Sequence, residues 1–261
     1  MTQAVPDILS RIVQHKRTEL AERSFRRPEL ERLAEAGIAT RRPFLPALRA
    51  NSPAIISEIK KASPSKGLLS PDFHPQSIAS AYQRGGAAAL SVLTDEKFFQ
   101  GTLADLEAAR ASCRLPVLRK DFTFDEFHVI EAAAAGADAI LLITAILSTA
   151  QLASLRELAL HYGMAALVEV HDEEELKSAI DSGAEMVGVN NRNLHDFTVT
   201  LKTSQRLAER MPSGIYKVTE SGIHNRADVR LLMESGYTAF LVGEHLMKSA
   251  DPAQALRELL A

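Results

Sequence analysis

The chain has 261 residues, of which 46% are hydrophobic and 24% charged, and its formal net charge is −3. That length admits one large domain or two small ones, with ample apolar material for a core. The composition excludes a disordered polymer, and the mildly acidic balance gives no general attraction to nucleic acid or to an anionic membrane.

The N-terminus, MTQAVPDILSRIVQHKRTELAERS, lacks the apolar stretch of a signal peptide. Ile8, Ile12, Val13 and Leu20 recur near helical spacing, so an amphipathic helix is predicted, with Asp7 as a candidate cap. The first ~50 residues read as extra helices that cap a barrel or cover its bottom. Apolar runs such as AILLITAIL (139–147) are too short to span a bilayer and read as buried strands. The one cysteine, Cys113, lies in ARASCRLPVL (109–118). A lone cysteine excludes an intrachain disulfide and fits a reducing cytoplasm, and its place ahead of a strand reads as a packed or surface thiol.

From residue 54 onward short apolar runs alternate with amphipathic helical stretches. The runs are AIISEI (54–59), AALSVLT (88–94), LPVLRK (115–120), DAILLI (138–143), AALVEV (165–170), MVGVN (186–190), IYKVTE (215–220) and TAFLVG (238–243). Strands this apolar, each followed by a helix, predict a parallel sheet covered on its faces. GGAAAL, AGADAI, SGAEMV and SGYTAF each place Gly between a helix and the next strand, where a left-handed cap is needed. Eight such units predict an α/β fold, a closed (β/α)8 TIM barrel over residues 1–261 as a single domain, with residues 1–50 packed on it as a helical N-terminal extension. An open doubly wound sheet would call for a glycine-rich dinucleotide fingerprint after the first strand, and EIKKASPSKG (58–67) is not one.

Active sites of such barrels lie at the C-terminal ends of the strands. There this sequence turns from apolar to charged: Glu58 and Lys60 end the first strand, Lys120 the third, Glu169 the fifth, Asn190 the sixth and Glu220 the seventh. Side chains of one barrel layer come from alternate strands. Lys60, Lys120, Glu169 and Glu220 are therefore expected to form a top layer of two cations facing two anions, with Glu58 one layer below. A charged layer at the functional face points to chemistry, since a structural layer can be built from Val and Leu. Lys61 alternates outward and reads as solvated or structural. The loops after the last two strands, ESGIHN (220–225) and VGEHLMKS (242–249), carry Gly222 and Gly243, which would let backbone approach an anion closely. With Ser63 they form a candidate phosphate cradle. Glu244 would offer only its backbone N–H and turn its carboxylate away. Six histidines near predicted loops or helices, among them His171, His224 and His245, read as surface or supporting groups.

EIKKASPSKG, SVLTDEKFFQG (91–101), LRKDF (118–122), LVEVHDEEEL (167–176), GVNNRNL (188–194), ESGI (220–223) and FLVGEHLM (240–247) together resemble the indole-3-glycerol phosphate synthase family of tryptophan biosynthesis. The match runs in order along nearly the whole chain. The resemblance implies a carbon–carbon lyase that closes 1-(2-carboxyphenylamino)-1-deoxyribulose 5-phosphate to indole-3-glycerol phosphate, with loss of carbon dioxide and water. It implies no cofactor and no metal. Lys120 would be the general acid at the ribulose carbonyl, and Glu169 would move protons in rearomatisation and dehydration. Lys60 would bind anionic substrate groups and is a second candidate acid; which lysine donates in which step is open. Glu58 would orient Lys60 and the substrate, and Asn190, Glu220 and Ser221 would complete the polar wall. Ser63, Gly222, Gly243 and Glu244 would hold phosphate. Phe99, Phe122 and Leu141 match positions near the aromatic ring, and Pro64 is either a turn proline or a lid over that ring. Residues 63–67 are expected to form a mobile loop. The family often carries Ser where Glu244 stands. The implied partner is the small phosphorylated substrate, in the cytoplasm, and transient contact with other tryptophan-pathway enzymes is open. Three other readings stand beside this one. They are a phosphoribosylanthranilate isomerase-like barrel, which would call for a cysteine near the end of the first strand; a Schiff-base aldolase using Lys120; and a noncatalytic phosphosugar-binding barrel.

Overall fold

In the computed structural model, which describes residues 7–64 and 66–261, eight parallel strands close into a barrel. They are β1 (Ala54–Ile59), β2 (Ala89–Leu93), β3 (Val117–Lys120), β4 (Ala139–Ile143), β5 (Ala165–Val170), β6 (Met186–Asn190), β7 (Tyr216–Glu220) and β8 (Ala239–Val242). Each strand pairs with its neighbours in sequence, and β1 closes the ring on β8. All eight lie within the runs expected from the sequence. The glycines ahead of four strands, Gly86, Gly136, Gly183 and Gly236, have φ between 78° and 96°, the left-handed backbone a side chain would resist.

The strands are buried on both faces, so two apolar layers form. Inward positions, two residues apart, supply Ala54 and Ile56, Leu118, Leu141, Leu167, Val218 and Leu241 to one cluster that fills the barrel. Outward positions such as Ile55, Val117, Ile140 and Val168 join the larger layer beneath the helices. The fold is the packing of these two layers, in keeping with a barrel that is a filled core and not a pore.

The N-terminal extension runs the length of the barrel. Helix α1 (Asp7–Arg23) lies at the C-terminal mouth of the strands, where Ile8, Leu9 and Ile12 line the cavity described below. Helix α2 (Arg27–Gly37) packs along the barrel helix Glu126–Ala134. Helix α3 (Phe44–Arg49) lies at the opposite end, and its Phe44 and Leu48 join the inner cluster. Just before it, the backbone N–H of Arg42 donates to Asp138 Oδ1 (2.7 Å) ahead of β4. The two placements considered from sequence are thus both occupied, by different helices.

A buried polar knot fixes α1 to the mouth. Lys16, 5% exposed, lies 2.9 Å from Asp121 Oδ1 and 3.2 Å from Glu19. Asp121 also accepts from Thr94 Oγ1 (2.6 Å), Arg119 Nη2 (3.0 Å) and the Phe122 N–H (2.8 Å), and Arg119 reaches on to Glu131 (2.8 Å). Burial alone would raise the Asp121 carboxyl, but Arg119 and Lys16 outweigh it and hold it well below the usual range. Removing one partner of a buried pair leaves a charge uncompensated. Lys16→Met should therefore destabilise the fold by about 3 kcal/mol and raise amide exchange along α1. A loss under about 0.5 kcal/mol in denaturant unfolding, within the range of ordinary surface changes, would mean that Leu9 and Ile12 hold the helix without the knot.

Candidate active site

Of the side chains expected from the strand ends, Glu58, Lys60, Lys120, Glu169 and Asn190 line one cavity of about 380 Å³ at the mouth of the barrel, and Glu220 is buried beneath it. Its polar floor is set by strand alternation. Glu58, Lys120, Glu169 and Glu220 each stand two residues past an inward apolar residue, namely Ile56, Leu118, Leu167 and Val218. They are the next layer up. Lys120 Nζ donates to Glu220 Oε2 (2.6 Å) and lies 3.7 Å from Glu58 Oε2 and 4.0 Å from Glu169 Oε2.

The expected layer of two cations and two anions is corrected here. Glu58, not Lys60, is the fourth member, and Lys60 stands above it, ion-paired to Glu58 and beyond the end of β1. The reason is the two-residue step of the strand: Lys60 points the same way as Glu58 but one layer higher. One ammonium therefore serves three buried carboxylates.

Two glycines make room for this layer. A Cβ on Gly188 would come within 2.5 Å of Glu220 Oε1, and one on Gly243 within 2.1 Å of Glu58 Oε1. Glycine inside a strand pattern often marks such a close approach, so MVGVN and FLVGE carried a signal for carboxylate placement beyond any loop role.

Crowding drives the carboxyl groups apart in acidity. Burial and the neighbouring Glu169 and Glu58 charges, only partly offset by Lys120, push Glu220 up to about 7. Burial would raise Glu169 as well, but His171, Lys120 and Asn190 outweigh it and bring it down to about 2. Glu58 is lowered, since Lys60 and Lys120 overcome its burial. Burial opposes the charge on Lys120, yet Glu220, Glu58 and Glu169 keep it more basic than a free lysine.

Asn190 ends β6 and donates from Nδ2 to Glu169 Oε1 (3.1 Å). The apolar wall includes Phe99, Phe122, Leu141 and Pro64. The Phe99 and Phe122 rings lie 6.0 Å apart at 39°. Phe98 turns the other way, edge-on to His15 at 6.0 Å, so one phenylalanine of the pair faces the cavity while its neighbour packs against α1.

The cavity is also lined by Ser63 and, at the ends of β7 and β8, by Ser221, Gly222, Gly243 and Glu244. Ser221 and Gly222 are both left-handed, with φ of 67° and 79°, a conformation uncommon for non-glycine residues. The Glu244 side chain is not turned clear of the cavity as expected. Its carboxylate accepts from Lys248 Nζ (2.6 Å), and Lys66 and Arg192 stand 4.0 and 3.9 Å from it. Lys66, Arg192, His224 and His245 line the cavity too. Of the loop 63–67, Ser65 lies outside the described residues; Ser63 pairs with Gly67 in a two-stranded hairpin. The Lys61 carbonyl accepts from Leu69 and Ser70 N–H (2.8 and 3.3 Å), and Lys61 is not among the cavity-lining residues.

Sequence reasoning passed over Lys66, Arg192 and His171. Arg192 follows Asn190 by two residues, the same parity that placed Glu58 and Lys60 together. His171 follows Glu169 in the same way. The parity argument, carried past the strand ends, would have found both.

Fold and site together define a (β/α)8-barrel protein with a lysine–carboxylate centre at the C-terminal mouth of its strands. The model of the family described as Indole-3-glycerol phosphate synthase matches residues 9–259. A protein of that name from Aromatoleum aromaticum is 51% identical over 97% of this chain and 98% of its own, and one from Chromobacterium violaceum is 50% identical over 97% of both. The chain belongs to the indole-3-glycerol phosphate synthase family. Among solved structures it resembles, with a TM-score of 0.60, a mutant tryptophan synthase alpha-subunit from Pyrococcus furiosus at 15% identity, covering 80% of this chain and 98% of that one. Thiamine phosphate pyrophosphorylase from Pyrococcus furiosus matches with the same score at 20% identity, covering 79% and 93%. These last two likenesses speak for the fold alone.

The Glu220 environment has a consequence for stability. Its acid is shifted upward from 4.5 to about 7 in the fold, so the unfolded chain ionises first. The contribution is full below the unfolded value and is lost as pH rises through about 7. Glu220→Gln stays neutral and keeps an acceptor for Lys120. Relative to the parent it should gain about 1–3 kcal/mol between pH 5 and pH 8 in urea unfolding. Parallel stability curves for the two proteins would show that Glu220 is ionised throughout.

Proposed function

We propose that this cavity closes 1-(2-carboxyphenylamino)-1-deoxyribulose 5-phosphate to indole-3-glycerol phosphate, the carbon–carbon lyase reaction of EC 4.1.1.48. The observation that carries the reading is Lys120, held as an ammonium among Glu58, Glu169 and Glu220 at the base of a cavity whose wall carries aromatic rings and cations.

The chemistry uses each part. The ring carbon bearing the carboxylate attacks the ribulose carbonyl, a carbon–carbon bond forms, and negative charge develops on the carbonyl oxygen. The Lys120 ammonium meets that oxygen as electrostatic partner and proton donor. Carbon dioxide then leaves, and the electron pair of its bond restores the aromatic ring. In the last step the new hydroxyl departs as water with a second proton, while the chain carbon next to nitrogen loses one. Glu169, already ionised, takes that proton. The overall change consumes one proton for each ionised substrate. Lys60, ion-paired to Glu58, binds the substrate's anionic groups and is the second candidate acid. Asn190 and Ser221 line the polar wall, and Glu220, buried beneath it, acts through Lys120.

Phe99, Phe122, Leu141 and Pro64 receive the aromatic ring. Ser63 and the backbone of Gly222, Gly243 and Glu244 receive the phosphate. Lys66 and Arg192 add charge there, held in the free protein near the Glu244 carboxylate. The substrate is a small phosphorylated molecule, and a cytoplasmic setting fits the lone, buried Cys113. Among the described residues no helix is long and apolar enough to cross a membrane.

The competing readings meet specific obstacles. A Schiff-base lysine must lose its proton, and the three carboxylates hold Lys120 in the opposite state. An acid–base cysteine has no candidate in the cavity, since Cys113 is not among its lining residues and burial pushes its thiol up.

The chain contains no Trp, so indole fluorescence reports product directly. The parent protein mixed with substrate should show a rise. In Lys120→Met, turnover should fall by at least about 10²–10³-fold, with phosphate binding kept and the carboxylates taking up protons in place of the lost charge. Near-parental turnover would remove the role given to Lys120. Substrate binding by the parent without product would favour the noncatalytic phosphosugar barrel.

A further inference from the structure

Glu169 is the one carboxylate of the layer that touches a second cation outside the cavity. His171 follows it by two residues, just past β5, and its Nε2 stands 3.3 Å from Glu169 Oε1. The other ring nitrogen, Nδ1, lies 2.9 Å from Glu175 Oε2, and the His171 backbone N–H donates to the same oxygen at 2.7 Å. Glu175 is fixed in turn. It sits in the first turn of helix Glu173–Asp181, and its N–H donates to the capping Asp172 Oδ1 (2.9 Å). A chain of contacts therefore runs from a helix N-terminus through Glu175 and the imidazole to Glu169.

We propose that His171, clamped by Glu175, is a positioning residue for Glu169, holding Oε1 from behind so that Oε2 faces Lys120 and the substrate. The proposal rests on the reading of Glu169 as the base. Three features support it. Asn190 Nδ2 donates to Oε1 and His171 Nε2 faces the same oxygen as an ion-pair partner, without an aligned hydrogen bond, whereas Lys120 Nζ stands 4.0 Å from Oε2. His171 does not line the main cavity but a second one of about 300 Å³, shared with Asp172, Glu175, Asn190 and Arg192, so it acts on the reaction through Glu169 and not on substrate. Finally, the ring has a carboxylate at each nitrogen. Burial opposes its charge, but Glu169 and Glu175 outweigh burial and raise it to about 10. The imidazolium is thus a fixed cation at working pH, and a neutral, rotating histidine would not serve.

The physical need is plain. Glu169 is buried beside Glu58 and Glu220, both on facing strands, with only a third share of Lys120. Without a cation of its own it would take up a proton and cease to be a base. The groups that face it are Glu58 from β1, Lys120 from β3, Asn190 from β6, Glu220 from β7 and His171 from just past its own strand, with Glu175 behind the ring.

The test is the pH dependence of kcat in the parent, His171→Gln, Glu175→Gln and Glu169→Gln. Gln at 171 keeps a polar side chain of similar reach but carries no charge. Loss of a cation this close moves a carboxyl by about 1–3 units. The His171→Gln profile should therefore gain an acid-side fall absent from the parent. From about 2 in the parent, the upper end of that shift brings Glu169 to about 5, so the deficit in kcat should be about twofold larger at pH 5 and about tenfold larger at pH 4 than at pH 8, with KM changed less than about twofold, since uniform binding is untouched. Any fall caused by Glu220 is common to both proteins and cancels in the ratio. Glu175→Gln should show the same displacement, smaller in size, and serves if His171→Gln does not fold. A loss of kcat equal at every pH, or a profile that overlays the parent, would overturn the proposal while leaving Glu169 as base. Turnover by Glu169→Gln would instead overturn the reading on which it rests.

Discussion

Lys120 Nζ lies within 4.0 Å of carboxylate oxygens from three different strands, and much of the site follows from that shared charge. Burying three carboxylates around one ammonium is costly, because desolvation penalises every ion and like charges repel. The surroundings offset the cost locally. Glycines at 188 and 243 let the carboxylates lie against bare backbone. Lys60 neutralises Glu58 from above, and His171 faces Glu169 from behind. Glu220 has no comparable second cation, and its Oε1 is buried without a hydrogen-bond partner. It is the group that yields, holding its proton to about neutral pH.

This unequal sharing turns three like residues into different chemical tools. A carboxylate fixed as an anion, another that titrates near neutrality, and an ammonium between them are the ingredients of stepwise proton transfer. Around them the cavity wall carries aromatic rings, Phe99 and Phe122, and cations, Lys66 and Arg192, the latter two within 4.0 Å of Glu244. Helix α1 closes the mouth with Ile8, Leu9 and Ile12, and Lys16 ties that helix to Asp121, the residue after Lys120. The N-terminal extension is thus joined to the same strand end that carries the central lysine.

Much of this was legible in the sequence, for definite reasons. Near-continuous apolar strands and a glycine ahead of each of four strands encode a parallel sheet covered on both faces, and eight such units without a dinucleotide fingerprint pointed to its closure into a barrel. The charged ends of β1, β3, β5 and β7 marked the site because charges are out of place in a barrel interior. What escaped was depth and partnership. Whether Glu58 or Lys60 shares the layer of Lys120 depends on the strand stagger, which periodicity does not specify. The Glu244 carboxylate was expected to turn clear of the cavity, but Lys66 and Arg192, both lining that cavity, stand within 4.0 Å of it. His171 looked like one loop histidine among several, because its role comes from Glu175, which reaches it only after the chain turns into a helix.

The central claim is that one ammonium divides three carboxylates into unlike acids. The most direct measurement is a carbon NMR titration of the glutamate side-chain carboxyls in the free protein, with Glu58, Glu169 and Glu220 assigned by single Gln substitutions. The account predicts that Glu220 titrates near pH 7 while Glu58 and Glu169 remain ionised down to the acid limit of the folded state. Three overlapping titrations near 4.5 would contradict it, because they would mean that solvent, and not Lys120, Lys60 and His171, sets the charge of each group.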